Sequence, residues 1–261
     1  MHPIVNFLKT IFIWVPLLAA TAVLPANCAS AAELPVLQFV TLVDPVERPG
    51  LFQLFEKTNN EICRRLQYSC TLKYYPAARA AAMVESGEAD GENYRVFNFA
   101  ADGKNPRHIR VDTPLYVATF VAWGKPGTAR VSSWDEVAMQ GQPVMYLFGS
   151  KIVVNNLGAR MSSNLTPTHS VESGLNMLVA DRASYFITSD SRGVEQKISR
   201  LRLDSQITKM GIVESLDTYL YMNDKHRALA VKFKRTIEEM KKDGSLDTLM
   251  FEAGEIKAKP R

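Results

Sequence analysis

The chain is poor in the residues that most often carry catalysis or bind metals: of 261 positions, three are cysteine and four are histidine. The cysteines (Cys28, Cys63, Cys70) and histidines (His2, His108, His169, His226) form no group with metal-ligand spacing, so no metal and no cofactor are expected. There is no Gly-x-Ser-x-Gly elbow, no Gly-x-x-x-x-Gly-Lys phosphate cradle and no His-Glu-x-x-His pair. The common nucleophile, P-loop and zinc-peptidase chemistries therefore have no anchor, and no catalytic residue is assigned. Dense basic runs are missing too: 31 Lys and Arg are interspersed with 27 Asp and Glu for a net charge of +4. That pattern excludes the electrostatic footprint of a nucleic-acid binder and reads as solubility. Beyond residue 32 no apolar run is long enough to cross a bilayer.

What is present begins with three segments in order. Lys9 supplies a positive start, Ile11 to Leu24 form an apolar run broken by Pro16, and Ala29-Ser30-Ala31 supplies small residues. This is the layout of a cleaved secretory signal peptide over residues 1–32, with a retained membrane anchor as the alternative. Cys28 follows Asn27, whereas a lipidated cysteine wants a small residue before it, so cleavage after Ala31 or Ala32 is expected. The mature chain then keeps about 230 residues and a net charge of +3, enough for one large domain or two small lobes.

Strand and helix patterns alternate from there. Leu34 to Val43 reads as a buried strand, and Leu51, Leu54, Phe55, Ile62 and Leu66 mark one apolar face of a helix. Cys70 to Tyr75 is a strand stopped by Pro76, and Ala77 to Ser86 is a helix stopped by Gly87. The same grammar restarts with a strand at Pro143 to Phe148, helices at Lys151 to Met161 and Val171 to Ala180, a strand at Ala183 to Thr188 and a helix after Asp190. Two extended runs, Leu115 to Trp123 and Thr218 to Met222, separate these units, and Lys225 to Lys242 is a long amphipathic helix with a short one from Leu246. Two α/β units joined by two crossings predict an α/β protein of two lobes with a double hinge. The first lobe is residues 33–121 and 217–261, the second is 122–216, and the hinges are expected near Ala122 to Gly124 and Ser215 to Thr218.

Several segments carry a resemblance: Tyr75-Pro76-Ala77-Ala78-Arg79-Ala80, Ser86-Gly87-Glu88-Ala89-Asp90-Gly91, Arg110-Val111-Asp112-Thr113-Pro114-Leu115, Trp134-Asp135-Glu136-Val137, Phe148-Gly149-Ser150 and Met240 to Leu246. In order and spacing they resemble the bacterial extracellular solute-binding protein family 3, in a divergent branch. That resemblance implies a periplasmic-binding-protein-like fold over essentially the whole mature chain. It also implies a periplasmic, monomeric receptor that closes on a small polar ligand, anionic or amino-acid-like, for an ABC permease or a membrane sensor. A dehydratase- or hydrolase-type enzyme on the same fold is the second reading. Where the family carries Thr-Pro-Glu-Arg, this chain reads Asn105-Pro106-Arg107-His108, with Asn105 near the arginine's position; Ser189, beside Asp190, stands at the family's aspartate.

Ligands of open α/β sheets bind outside the carboxyl ends of strands. On that rule Arg95, after the strand beginning at Gly91, is expected at the cleft, where a guanidinium grips a carboxylate or phosphate through paired bonds; its other reading is a structural arginine bonding loop carbonyls. Arg79, at a helix start, is a weaker candidate or a surface group. Gly149-Ser150 opens a helix whose N–H groups can face an anion, or Ser150 caps that helix. Tyr75 and Tyr94 can stack on a ligand or pack in the core, and Asp44 and Asp190 can meet an ammonium group or serve turns and caps.

Only Cys63 and Cys70 survive the expected cleavage, and in an oxidising compartment a lone close pair reads as a disulfide, worth about 2–3 kcal/mol; two free thiols or half a metal site are the alternatives. Intact mass of unreduced exported protein should be two hydrogens below the dithiol form. Thiols that alkylate without reduction would overturn the pairing.

Overall fold

Pro49 starts the first helix, because its fixed φ and missing N–H suit the first helical position. The computed structural model describes residues 33–101, 103–189 and 191–256. The expected signal peptide, with Cys28, and Asp190 lie outside the described residues. Strand β1 (Val36–Thr41) leads to α1 (Pro49–Arg65), β2 (Ser69–Tyr74), α2 (Ala77–Ser86) and β3 (Gly91–Val96). Short β4 (His108–Arg110) and long β5 (Tyr116–Gly124) follow. The second half contains α3 (Trp134–Gln140), β6 (Val144–Leu147), α4 (Lys151–Met161), β7 (Leu165–Thr168), α5 (Val171–Val179), β8 (Tyr185–Thr188) and α6 (Ser191–Arg200). The 16-residue β9 (Thr208–Asn223) returns, and α7 (Arg227–Lys242) and α8 (Ser245–Glu252) close the chain.

One sheet runs in the order β2-β1-β3-β9-β5-β8-β6-β7, with β4 paired to β9. Its two ends are parallel: β1 pairs β2 and β3, and β6 pairs β7 and β8. Between them β5 and β9 lie antiparallel from Tyr116↔Thr218 to Gly124↔Thr208, so this pair is the bridge between the halves. Its register shifts between Phe120 and Val121 and between Ala122 and Trp123. Val213 and Met210 are the extra residues on β9, and both are buried. Such bulges bend and twist a strand pair. The first expected hinge, Ala122 to Gly124, overlaps them. The second, Ser215 to Thr218, pairs in unbroken register with Tyr116 to Thr119, and the irregular part of β9 lies earlier, at Lys209 to Glu214.

The α1 face forms as its spacing predicts, burying Leu51, Leu54, Phe55 and Ile62. Asn59 is buried on the same face and exchanges two side-chain hydrogen bonds, at 2.9 and 3.1 Å, with buried Asn93 of β3. Paired amides satisfy each other away from water, so this polar pair fixes the helix over the strand. Gly87 ends α2 at φ 84°, where glycine meets no Cβ penalty. At Gly91 a Cβ would lie 2.5 Å from the Tyr221 carbonyl and 2.8 Å from the Phe39 ring, so only glycine lets β3 start against β1 and β9. Cys63 and Cys70 are disulfide-bonded with Cα atoms 5.9 Å apart, joining the end of α1 to β2.

A charged staple closes the first half. Glu61 accepts from Arg64 at 2.8 Å and from Arg65 at 2.7 Å, while Arg65 also reaches Asp243 at 2.7 Å and the Ser245 hydroxyl at 2.9 Å. Arg64, followed by Arg65, holds the Glu61 carboxyl at about 2 against an ordinary 4.5. The Ser245 hydroxyl and N–H, with Arg65, hold Asp243 at about 2 against 3.8. Groups with depressed folded values add stability that is complete above their unfolded values and is lost as pH falls through the folded ones. The thermal midpoint should therefore decline between about pH 4.5 and pH 2, by a modest amount because the pairs are solvent-screened. A Glu61→Gln, Asp243→Asn double variant should show a shallower decline; an identical acid limb in circular dichroism melts would remove the staple from the explanation.

Candidate functional site

The carboxyl ends of β1, β2, β3, β6 and β8 supply the candidate site, and β3 decides which side chains reach it. In the β3–β9 ladder Glu92 pairs Tyr221 but Arg95 pairs Tyr219, so Asn93 and Tyr94 share one partner position. Tyr94 takes φ 72°, a conformation rare for a bulky residue. Regular alternation would send Tyr94 and Arg95 to opposite faces, with Arg95 beside Asn93. The bulge instead sends Asn93 and Tyr94 together toward α1, and Glu92 and Arg95 together toward α2.

Arg95 is therefore held within the first half. It bonds Glu92 at 2.8 Å and the Ala77 carbonyl at 2.6 Å, and its guanidinium carbon lies 4.2 Å from the Phe99 ring centroid. Glu92 is fully buried, and its other oxygen lies 3.1 Å from Nε2 of buried His108 without hydrogen-bond alignment. His108 Nδ1 contacts Glu85 at 3.0 Å. This is a chain of charged and polar groups, Glu85–His108–Glu92–Arg95, under the sheet. Arg107 belongs to the same framework, bonding Asp224, the Glu85 carbonyl and Asn223.

Tyr94 occupies the place that alternation would assign to Arg95. Its ring meets Phe55 at 5.7 Å and Tyr116 at 6.0 Å. Arg48, from the loop after β1, stacks 4.7 Å from the Tyr94 centroid and donates to its hydroxyl at 2.8 Å. That hydroxyl donates at 3.3 Å to Ser189, which follows β8 in the other half. Tyr116 donates to Glu255 at 2.8 Å, and burial, reinforced by that carboxylate, pushes its phenol above the ordinary tyrosine value. The chain Arg48–Tyr94–Ser189 thus crosses from one half of the sheet to the other.

The remaining expected residues are dispersed around this crossing. Tyr75 is half-buried with Arg79 4.8 Å above its ring, and Arg79 is exposed. Gly149 is exposed at φ 86° with open space where a Cβ would stand. Ser150 occupies the cap position of α4, yet its side chain makes no capping bond, which leaves the hydroxyl for another partner. Asp44 serves a turn, accepting from the Val46 N–H at 2.8 Å. Tyr94 meets Ser189 across the halves; the structure shows no contact of Arg95 or Arg79 with Gly149-Ser150 among the described residues.

A groove of about 640 Å³ opens beside the crossing, between Glu47 of the β1–α1 loop and the outer faces of α5 and α6. Oε2 of Glu47 is buried and meets no hydrogen-bond donor among the described residues, which costs about 1–3 kcal/mol for an ordinary polar group. Sequence reasoning missed Glu47 and Arg48. The strand-end rule applies equally to the loop after β1, but in the sequence Pro49-Gly50 marks only a turn there, and two adjacent charges in a loop carry no periodic signal.

No known family model matches the chain. An uncharacterized protein of Shewanella oneidensis is 24% identical over 230 residues, 86% of this chain and 85% of the relative. A histidine kinase sensor domain with similarity to periplasmic binding proteins superposes with TM-score 0.66 at 10% identity, over 84% of this chain and 96% of that one. An ancestral arginine-binding protein bound to arginine gives 0.64 at 15% identity, over 83% and 97%. An arginine-transport periplasmic binding protein of Legionella pneumophila gives 0.62 at 15% identity, over 84% and 99%. The fold is the mixed α/β, two-lobed architecture of periplasmic binding proteins.

Removing Arg95 leaves Glu92 buried beside His108 alone, and breaking a buried pair from one side costs about 3–5 kcal/mol. Arg95→Ala should therefore lower stability in urea denaturation by about 3 kcal/mol or more. A variant as stable as the parent would mean that Glu92 has no need of its guanidinium.

Proposed function

We propose that this chain is an exported solute receptor whose two lobes, residues 33–121 with 217–261 and residues 122–216, close on a small polar ligand. The Arg48–Tyr94–Ser189 chain carries the reading, because it joins a first-lobe strand end to a second-lobe strand end at the crevice where open α/β sheets bind ligands. As candidate ligand contacts this reading takes Gly149, Ser150 and Asp190 from the second lobe and Tyr75, Arg79 and Tyr94 from the first. Open backbone at a helix start suits an anionic group, and the tyrosines suit the body of an amino-acid-like molecule. Arg95 supports the site from behind, by holding the strand that presents Tyr94. The disulfide and the expected signal peptide agree with a periplasmic location. The likeness to an arginine-transport binding protein and to a histidine kinase sensor domain supports a membrane transporter, of the ABC permease kind, or a membrane sensor as the destination of a captured ligand, with a monomeric receptor in either case.

A melting screen over polar metabolites, with product analysis and small-angle scattering of the hits, tests this. A receptor gains thermal stability from its ligand by mass action and does not consume it, and its radius of gyration falls on closure. Tyr94→Phe should weaken the hit about tenfold to a hundredfold, the value of a lost hydrogen bond to a charged partner, while leaving the fold intact. Turnover of the stabilising compound would replace the receptor with an enzyme, and stabilisation without compaction would remove lobe closure.

A further inference from the structure

The charged chain under the sheet contains a histidine whose two ring nitrogens both face carboxylates. His108 Nδ1 lies 3.0 Å from Oε2 of Glu85 on α2, and Nε2 lies 3.1 Å from Oε1 of Glu92 on β3. The His108 and Glu92 side chains are fully buried. Nε2 and that Glu92 oxygen have no other hydrogen-bond partner among the described residues. The groups around them are engaged elsewhere. Arg95 meets only the other Glu92 oxygen, at 2.8 Å. Arg107 gives Glu85 its backbone N–H at 3.2 Å, while its guanidinium turns to Asp224, the Glu85 carbonyl and Asn223. Asn223, opposite His108 on β9, donates to the Val84 carbonyl. Tyr221 donates to the carbonyls of Val96 and Phe97, and the Phe99 ring packs 5.5 Å from the imidazole.

A neutral imidazole has one N–H and one lone pair. Whichever nitrogen kept the proton, the other would set its lone pair against a carboxylate oxygen, in a core where such opposition is costly. A second ring proton turns both contacts into charged hydrogen bonds and balances Glu85 and Glu92 against His108 and Arg95. We propose that His108 is held as an imidazolium between Glu85 and Glu92, and that its second proton is a pH-sensitive pin for the β3 bulge. Glu92 and Arg95 hold one face of that bulge and Tyr94 lies on the other, so loss of the proton disturbs the strand that carries Tyr94. Any effect on a solute at Tyr94 rests on the receptor reading; the proton itself does not. An unfolded chain releases a histidine proton near about pH 6.5. The pin therefore contributes fully below that value and is lost as pH rises through the point where the folded protein releases it.

Two-bond 1H–15N correlation spectra of the histidine rings in the mature protein test the proton with no solute present, so the result stands whether or not the chain is a receptor. His169→Gln and His226→Gln assign the signals. At about pH 7.5, above the ordinary histidine value, both His108 nitrogens should carry protons; one bare ring nitrogen overturns the proposal. Thermal melts read the pin. The midpoint of the parent should fall between about pH 6.5 and pH 9. That of His108→Gln, whose neutral amide has no proton to release, should fall less. His226, bonded to Asp90, is present in both proteins and cancels in the comparison. Equal slopes overturn the pin. If His108→Gln does not fold, half-buried Glu85 supplies the second variant. Glu85→Gln removes one of the two carboxylates and should move the loss of the His108 proton to lower pH in the same spectra; an unmoved loss overturns the proposal.

Discussion

The bulge in β3 is the constraint on which the rest of the site depends. Two residues, Asn93 and Tyr94, oppose one position of β9, and Tyr94 accepts a left-handed backbone to allow it. Single residues in that region cost on the order of 1–3 kcal/mol and persist where their surroundings over-determine them. Here the surroundings are visible on both faces. Toward α1, the Asn59–Asn93 amide pair and the Phe55–Tyr94–Tyr116 aromatic contacts hold one side of the bulge. Toward α2, Glu92 and Arg95 hold the other through their ion pair. A strand without the bulge would separate Glu92 from Arg95 and withdraw Tyr94 from Ser189.

The same strand anchors a polar core in the first half. Its polar core is a chain of groups that each need a neighbour: Glu85, His108, Glu92 and Arg95. Buried charges are expensive when unpaired and specify geometry when paired. Asp90 plays a similar part at the start of β3. Burial raises its carboxyl, but the Gln38 N–H, Lys225 and His226 outweigh that and hold it below the ordinary value. These contacts tie the start of β3 to β1 and to the segment after β9.

The connection to that second lobe is one sheet with an irregular middle. Val213 and Met210 interrupt the β5–β9 ladder and point into the core, so the bend is packed as well as curved. Hydrophobic contacts continue through Leu115, Ala118, Phe120 and Ala122 from one lobe to the other. Polar contacts, in contrast, lie at the strand ends, where Arg48, Tyr94 and Ser189 meet and where the Glu47 groove opens. Apolar packing thus holds the bridge, and polar contact is confined to the rim.

The amino-acid sequence by itself determined the order of elements and the fold class, because both rest on local periodicity. The apolar face of α1, the Gly87 stop of α2 and the strand–helix alternation on each side of β5 were legible as written. So was the candidacy of Cys63 and Cys70, the last close pair. Short β4 and β7 and the first ten residues of β9 were not, since a three-residue strand has no period and Gly211 and bulges break the alternation of β9. At the site, only the tertiary structure decided which strand-end residues meet. Regular alternation would put Arg95 on the same face as Asn93, and a single extra residue in one ladder puts Tyr94 there instead. A bulge is set by the partner strand and by the two packed faces, none of which is local to the segment that carries it.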